Sequence, residues 1–309
     1  MKIKAGILAR IPVFFGFQGE LMIKISELMK ITVESLIVLS IFAVLVSGCR
    51  ERSISFVVAS DLHFDGTPER EMVFDTVISM INGSSEVISL NTGEKSPLPF
   101  GVFIPGDITE SGKEEQWSQF TGKFGLNGEK ELLFPVYETF GNHDGNADGV
   151  VRTDIKIRNS KRKGVTMISE NGLHYAVKYK RSLFVVLGAY PGDEWDPNCE
   201  WCHYFKESFR EPEGSLAFLR SVLSENRKKG YPVYLFFHYG WDGFSKLWWT
   251  AEEQAKFRDV LADSDIRAIF HGHDHAVESY KWMEYDVFSA GSPQQGTKTG
   301  NFLFVTSNP

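Results

Sequence analysis

The chain has 309 residues, 42% of them hydrophobic and 24% charged, with no internal repeat and no low-complexity tract. Such composition excludes a disordered or fibrous protein and fits one large α/β domain or two small ones. The net charge is −7, and residues 49–309 alone carry 28 basic against 37 acidic side chains, a net of −9 that disfavours binding to a nucleic-acid backbone.

The chain opens on a leader. Residues 36–46 read LIVLSIFAVLV, an apolar run of 11, too short for a bilayer span of about 20 residues but suited to the apolar region of a secretory signal. Small residues then lead to Cys49, an order that resembles the bacterial lipoprotein processing box. That resemblance implies removal of residues 1–48, lipid modification of Cys49, and an exported protein held on a membrane surface. Met22 and Met29 are alternative starts, and the other reading of the run is a short buried helix beside an incidental cysteine. Residues 49–309 are expected to form one domain.

SISFVVAS (53–60) reads as a buried strand and runs into the loop DLHFDG. PEREMVFDTVISMIN (68–82) has helical spacing with proline near its start. FGVFIPGD (100–107) and LLFPVYETFGNHDG (132–145) are apolar strands ending in glycine and aspartate. HYAVKY (174–179) and SLFVVLGAY (182–190) form a hairpin. An amphipathic helix at 215–229 precedes the strand YPVYLFFH (231–238), and a helix at 251–264 precedes IRAIFHG (266–272). The tail, YDVFSAGSPQ and NFLFVTS, supplies further strands. Strands alternating with helices predict an α/β domain with much parallel sheet, whose ligands collect at the carboxyl ends of the strands.

Those ends carry Asp61-Leu62-His63, Gly106-Asp107, Gly141-Asn142-His143-Asp144, His238 and Gly272-His273-Asp274-His275. Aspartate, asparagine and histidine are hard and borderline donors, suited to Zn, Mn or Fe rather than to a thiolate site. A pair of ions about 3.5–4 Å apart needs roughly this many ligands, one of them a bridging carboxylate. Each motif is weak alone, but five in order are specific. Together they resemble the calcineurin-like metallophosphoesterase superfamily, from Asp61 to His275.

The resemblance implies a four-layer αββα sandwich of two mixed sheets flanked by helices, and a metal-dependent phosphatase or phosphodiesterase. Asp61, His63 and His275 would hold one ion, Asn142, His238 and His273 the other, and Asp107 would bridge both. The ions could be Mn, Zn, Fe or Mg, and their bound hydroxide would attack the phosphate ester. His143 would lie over the phosphate and Asp144 would orient its imidazole. His271, beside the ligand pair, has no ligand role and is expected to be packed or in contact with a ligand. The glycines at 106, 141 and 272 are expected to turn the backbone sharply. The superfamily also includes non-catalytic binding proteins, but no ligand position is missing here.

Other features carry competing readings. CEWCH (199–203) matches the attachment motif of a c-type haem, though a local disulfide between Cys199 and Cys202 suits an exported chain. The loop HYGWDGFSKLWWT (238–250) carries Trp241, Phe244, Trp248 and Trp249, which either line a substrate entrance or pack beneath the loop. Asp65 is either a partner of His63 or a turn residue. The basic run VVRTDIKIRNSKRKG (150–164) is expected to be a solvated helix face.

Overall fold

The computed structural model describes residues 13–15, 53–86, 95, 97–192, 212–241, 249–293 and 302–307. Its elements are β1 (Val13–Phe15), β2 (Ile54–Val58), α1 (Pro68–Asn82), β3 (Val102–Pro105), α2 (Glu114–Phe124), β4 (Val136–Thr139), α3 (Val150–Asn159), β5 (Val165–Ile168), β6 (Tyr175–Tyr179), β7 (Ser182–Val186), α4 (Ser215–Arg227), β8 (Val233–Tyr239), α5 (Ala251–Leu261), β9 (Ile266–Gly272), β10 (Val277–Trp282), β11 (Tyr285–Ala290) and β12 (Leu303–Ser307).

Helices begin where the local chemistry supplies caps. Pro68 opens α1, and the Thr67 hydroxyl accepts the Arg70 N–H while Asp65 accepts the Thr67 N–H. Asp65 is therefore a turn residue, also paired with Arg70. α5 starts with a reciprocal pair, Thr250 accepting from the Glu253 N–H and Glu253 from the Thr250 N–H. In α1 the buried Phe74, Val77, Ile78 and Ile81 fall at helical spacing and define its inward stripe. Helix α2 was not anticipated from the sequence.

One sheet has the order β1-β12-β2-β3-β4 and the other β10-β11-β9-β8-β7-β6-β5. Both are mixed. β2, β3 and β4 run parallel, as do β7, β8, β9 and β11, while β12 is antiparallel to β2 and β5–β6–β7 is an antiparallel meander. The three-residue strand β1 pairs with β12 at the edge.

Alternation along each strand divides the core in two. Ile54, Phe56, Val58 and Phe103 meet Phe184, Tyr234, Phe236 and Phe270 between the sheets, with the Phe56 ring edge-on to Phe103, Phe184, Tyr234 and Phe270 at 5.4–5.6 Å. Their neighbours, among them Val57, Ile104 and Leu235, face outward against the helices. The αββα sandwich expected from the sequence is the observed fold.

The basic run is not a solvated face. Arg152, Arg158 and Arg162 are buried, and Glu138 of β4 accepts from Arg158 Nε (2.6 Å) and from Arg162. Arg152 lies over the Phe140 ring and pairs with Glu213. The sequence count treated the run as one helix face, whereas the helix ends at Asn159, turns Arg152 and Arg158 inward, and is followed by a turn that buries Arg162 between the exposed Lys161 and Lys163.

Candidate metal centre

Both sheets end their parallel strands at the same edge of the sandwich, and the polar motifs lie there. Asp61, His63, Asp107 and His275 bring one ligand atom each to within 4.8 Å of one another, and so do Asp107, His238 and His273. Asp107 is common to both groups. His63 Nε2 lies 3.0 Å from His275 Nε2 and 3.7 Å from Asp107 Oδ2, and His238 Nε2 lies 3.2 Å from Asp107 Oδ2 and 3.0 Å from Asn142 Oδ1. All seven ligand positions read from the sequence thus converge.

The backbone that delivers them is strained. Nine non-glycine residues among those described have positive φ, and five are Asp61 (54°), His63 (47°), Asp107 (50°), His273 (77°) and His275 (58°). Each costs about 1–2 kcal/mol and persists because the surrounding bonds impose it. The Asp61 N–H donates to the Gly106 carbonyl, the His63 N–H to that of Asp107, and the His273 N–H to Asp61 Oδ1. Of the three glycines expected to turn the chain, only Gly106 has a left-handed φ, 92°. Gly141 and Gly272 serve close approach: a Cβ there would collide with Asp107 Oδ1 or with Ser60 Oγ and Asp61 Oδ2.

The donor chemistry fits bound cations. Asp61 Oδ2 is buried without a hydrogen-bond partner, in a site of carboxylates and imidazoles. Burial pushes the His63 and His273 imidazoles down to about 4 and about 3, so both are neutral, metal-ready bases at pH 7. Burial also raises Asp61 to about 7. Burial opposes ionisation of Asp107, but His238 and His63 outweigh it and hold the carboxyl below its ordinary range. Asp107 in turn lifts His238 to about 9 against burial. The Pro105 carbonyl, 2.9 Å from His238 Nδ1, can only accept, so Nδ1 carries a proton and Nε2 faces the site.

The expected pairing of Asp144 with His143 is not what the fold builds. Asp144 is fully buried, and its oxygens accept from the N–H groups of Ile108, Thr109 and Gly141 and from the Thr109 hydroxyl. Four donors occupy it, so it pins the loops after β3 and β4 together. His143 instead meets the Glu110 carbonyl at 2.7 Å through Nδ1, and its N–H donates to Asp107 Oδ1. Glu110, missed in the sequence, also places Oε2 3.0 Å from His63 Nδ1. The only signal was its position three residues after Asp107.

The aromatic loop packs where it is described: Trp241 stacks on Trp282 at 4.1 Å, and Trp249 is buried against Tyr190. Phe244, Trp248 and the CEWCH motif lie outside the described residues. No described helix is long and apolar enough to cross a membrane.

The family model for calcineurin-like phosphoesterases matches residues 54–277. The chain belongs to that family. Among solved structures, this phosphoesterase is similar to a dimetal phosphatase from Danio rerio, at 14% identity and a TM-score of 0.55 over 81% of this chain and 91% of that one. Looser likeness reaches GAP50, the anchor in the inner membrane complex of Plasmodium, at 14% identity and a TM-score of 0.47 over 83% and 78%. A purple acid phosphatase from yellow lupin seeds follows at 13% and 0.45 over 83% and 44%. At such identities the likeness shows the fold alone. No curated protein matches the chain by sequence.

Proposed function

We propose that this phosphoesterase hydrolyses phosphate esters at two metal ions, held by Asp61, His63 and His275 on one side and Asn142, His238 and His273 on the other, with Asp107 between them. The observation that carries this is the sharing of Asp107 by two converging ligand groups. When bound, the ions supply Lewis acidity, acidifying water and offsetting the charge that builds on phosphate oxygens.

The chain's own groups set the geometry. Asp107 stays ionised under the influence of His238 and His63, so it presents a carboxylate to both sides. His143 is fixed at Nδ1 by the Glu110 carbonyl, which leaves Nε2 to meet a phosphoryl or leaving oxygen and to donate a proton there. Asp144 positions this loop through the backbone and takes no part in the proton transfer.

We place the enzyme outside the cytoplasm, on a membrane surface through lipidated Cys49, on the strength of the apolar run, the small residues and the cysteine in order. Mass measurement of membrane-extracted protein should find an acylated N-terminal Cys49, and Cys49→Ser should release the protein from the membrane fraction.

The test of activity uses the full chain stripped of metal, then reloaded with Mn, Zn, Fe or Mg and offered aryl phosphate monoesters and diesters. Metal should restore hydrolysis, and Asp107→Ala and His143→Ala should each abolish most of it. Unchanged rates in both variants would refute this assignment.

A further inference from the structure

Behind the ligand pair, His271 is fully buried one residue before Gly272. Its Nδ1 lies 2.9 Å from the Gly272 carbonyl, which can only accept, so Nδ1 carries the proton and Nε2 is an acceptor. The Tyr280 hydroxyl, 2.8 Å from that Nε2, must then donate to it. The same hydroxyl oxygen accepts the N–H of Trp241 at 2.9 Å. The chain of bonds therefore has one direction, from the Trp241 N–H through the Tyr280 hydroxyl and the His271 ring to the Gly272 carbonyl.

Its two ends matter because of where they lie. Trp241 is three residues after His238, and Gly272 immediately precedes His273. Between them the β8–β9 ladder is irregular: its register shifts between Phe236 and Tyr239, and the N–H groups of His238 and Tyr239 both turn to the Ala189 carbonyl. The ladder resumes only at Tyr239 opposite Gly272, so His238 itself has no partner on β9. The imidazole of His271 lies against Gly240, where a Cβ would overlap the ring. The His238 and His273 rings are 5.1 Å apart, and His273 is edge-on to Tyr239 at 4.8 Å.

We propose that His271 and Tyr280 are positioning residues for one half of the metal centre: they clamp the turn after His238 to the strand end that carries His273. This rests on the two-ion reading above and adds to it that this half has a support of its own, beside the His273 N–H bond to Asp61 Oδ1. The bond chain ends three residues after His238 and one residue before His273, whereas His63 is set by Glu110 and Asp61 by Ser292, whose hydroxyl donates to the Asp61 carbonyl.

The experiment titrates Mn²⁺ into the metal-stripped full chain by calorimetry, for the parent, Tyr280→Phe and Gly240→Ala. Tyr280→Phe removes only the hydroxyl of a half-buried ring, and Gly240→Ala crowds the imidazole from the other side without touching Tyr280. The parent should take two ions. In each variant one ion should bind as in the parent and the other about 10- to 100-fold more weakly, with the metal-free protein still unfolding in one cooperative transition. Unaltered affinities for both ions would overturn the clamp, as would equal weakening of both ions alongside a lowered melting temperature, which marks a merely structural role. A parent that takes fewer than two ions refutes the two-ion reading itself, a result distinct from parent-like binding in the variants.

Discussion

Two buried charge clusters, one on β4 and one at the strand ends, are built on opposite rules. Glu138 accepts from Arg158 and Arg162, so each oxygen of a buried carboxylate meets a fixed positive charge inside the fold. At the ends of β2 and β3, Asp61 and Asp107 face imidazoles rather than guanidiniums, and burial holds His63 and His273 neutral. The first cluster is complete in itself. The second carries negative charge and nitrogen lone pairs suited to a cation. The difference teaches where function resides: a buried carboxylate matched by guanidiniums that cannot give up their protons specifies structure, and one faced by imidazoles that can specifies a ligand.

The largest expected break in this contrast is at Asp107. Asp107→Ala removes the ligand shared by both groups, so kcat/KM on an aryl phosphate should fall on the order of 10³-fold or more, with metal content falling too. His143→Ala should lower kcat by about 10²- to 10³-fold while metal content, measured by elemental analysis, stays at the parent value. Steady-state rates with metal analysis on the same samples separate the two.

On the other side of the comparison, Glu138→Gln leaves two buried guanidiniums without their carboxylate. That should cost about 3–5 kcal/mol and lower the melting temperature on the order of 10 °C, with kcat of the folded fraction close to the parent's. Asp144→Asn sharpens the boundary between the clusters. An amide cannot accept from four donors, so stability should drop by about 1–3 kcal/mol, and the pH profile of kcat should not move. A shifted profile would return Asp144 to the role of orienting His143.

Acid should discriminate between the clusters with the smallest effect. Burial opposes the ionisation of Glu138, but its two arginines outweigh it and pull the carboxyl from 4.5 down to about 2. A depressed carboxyl contributes stability that is present above about pH 4.5 and lost as the pH falls toward 2. His63 and His273 are bases depressed from 6.5, so the unfolded chain binds their protons first, and their contribution declines as soon as the pH drops below 6.5. Urea denaturation of the metal-free protein against pH should therefore show a first loss between pH 6.5 and 4.5 in both the parent and Glu138→Gln. The gap between the two should close only below about pH 4.5.

Much of the site was legible in the sequence because its chemistry is punctuated. Apolar strands run straight into Asp61, Asp107, Asn142 and His273, and a polar residue after a buried strand must sit at a strand end. Residues whose role depends on a neighbour from another element were not legible. Asp144 looked like a partner for the adjacent His143, yet its carboxylate turns to the backbone of the loop after β3. Glu110 gave no signal beyond its place after Asp107 and Tyr280 gave none, since only packing brings them to His63 and His271.

By itself the sequence determined most of the order of strands and helices and the polar residues at the strand ends, because hydrophobic period and strand-end polarity are properties of consecutive residues; the αββα class and the ligand set came with the family resemblance that those residues carry. The tertiary structure alone decided which histidine nitrogen faces the site, which glycines serve approach rather than turning, and which charges are paired. Those depend on carbonyls, side chains and arginines that lie far apart in the chain and meet only when the two sheets pack.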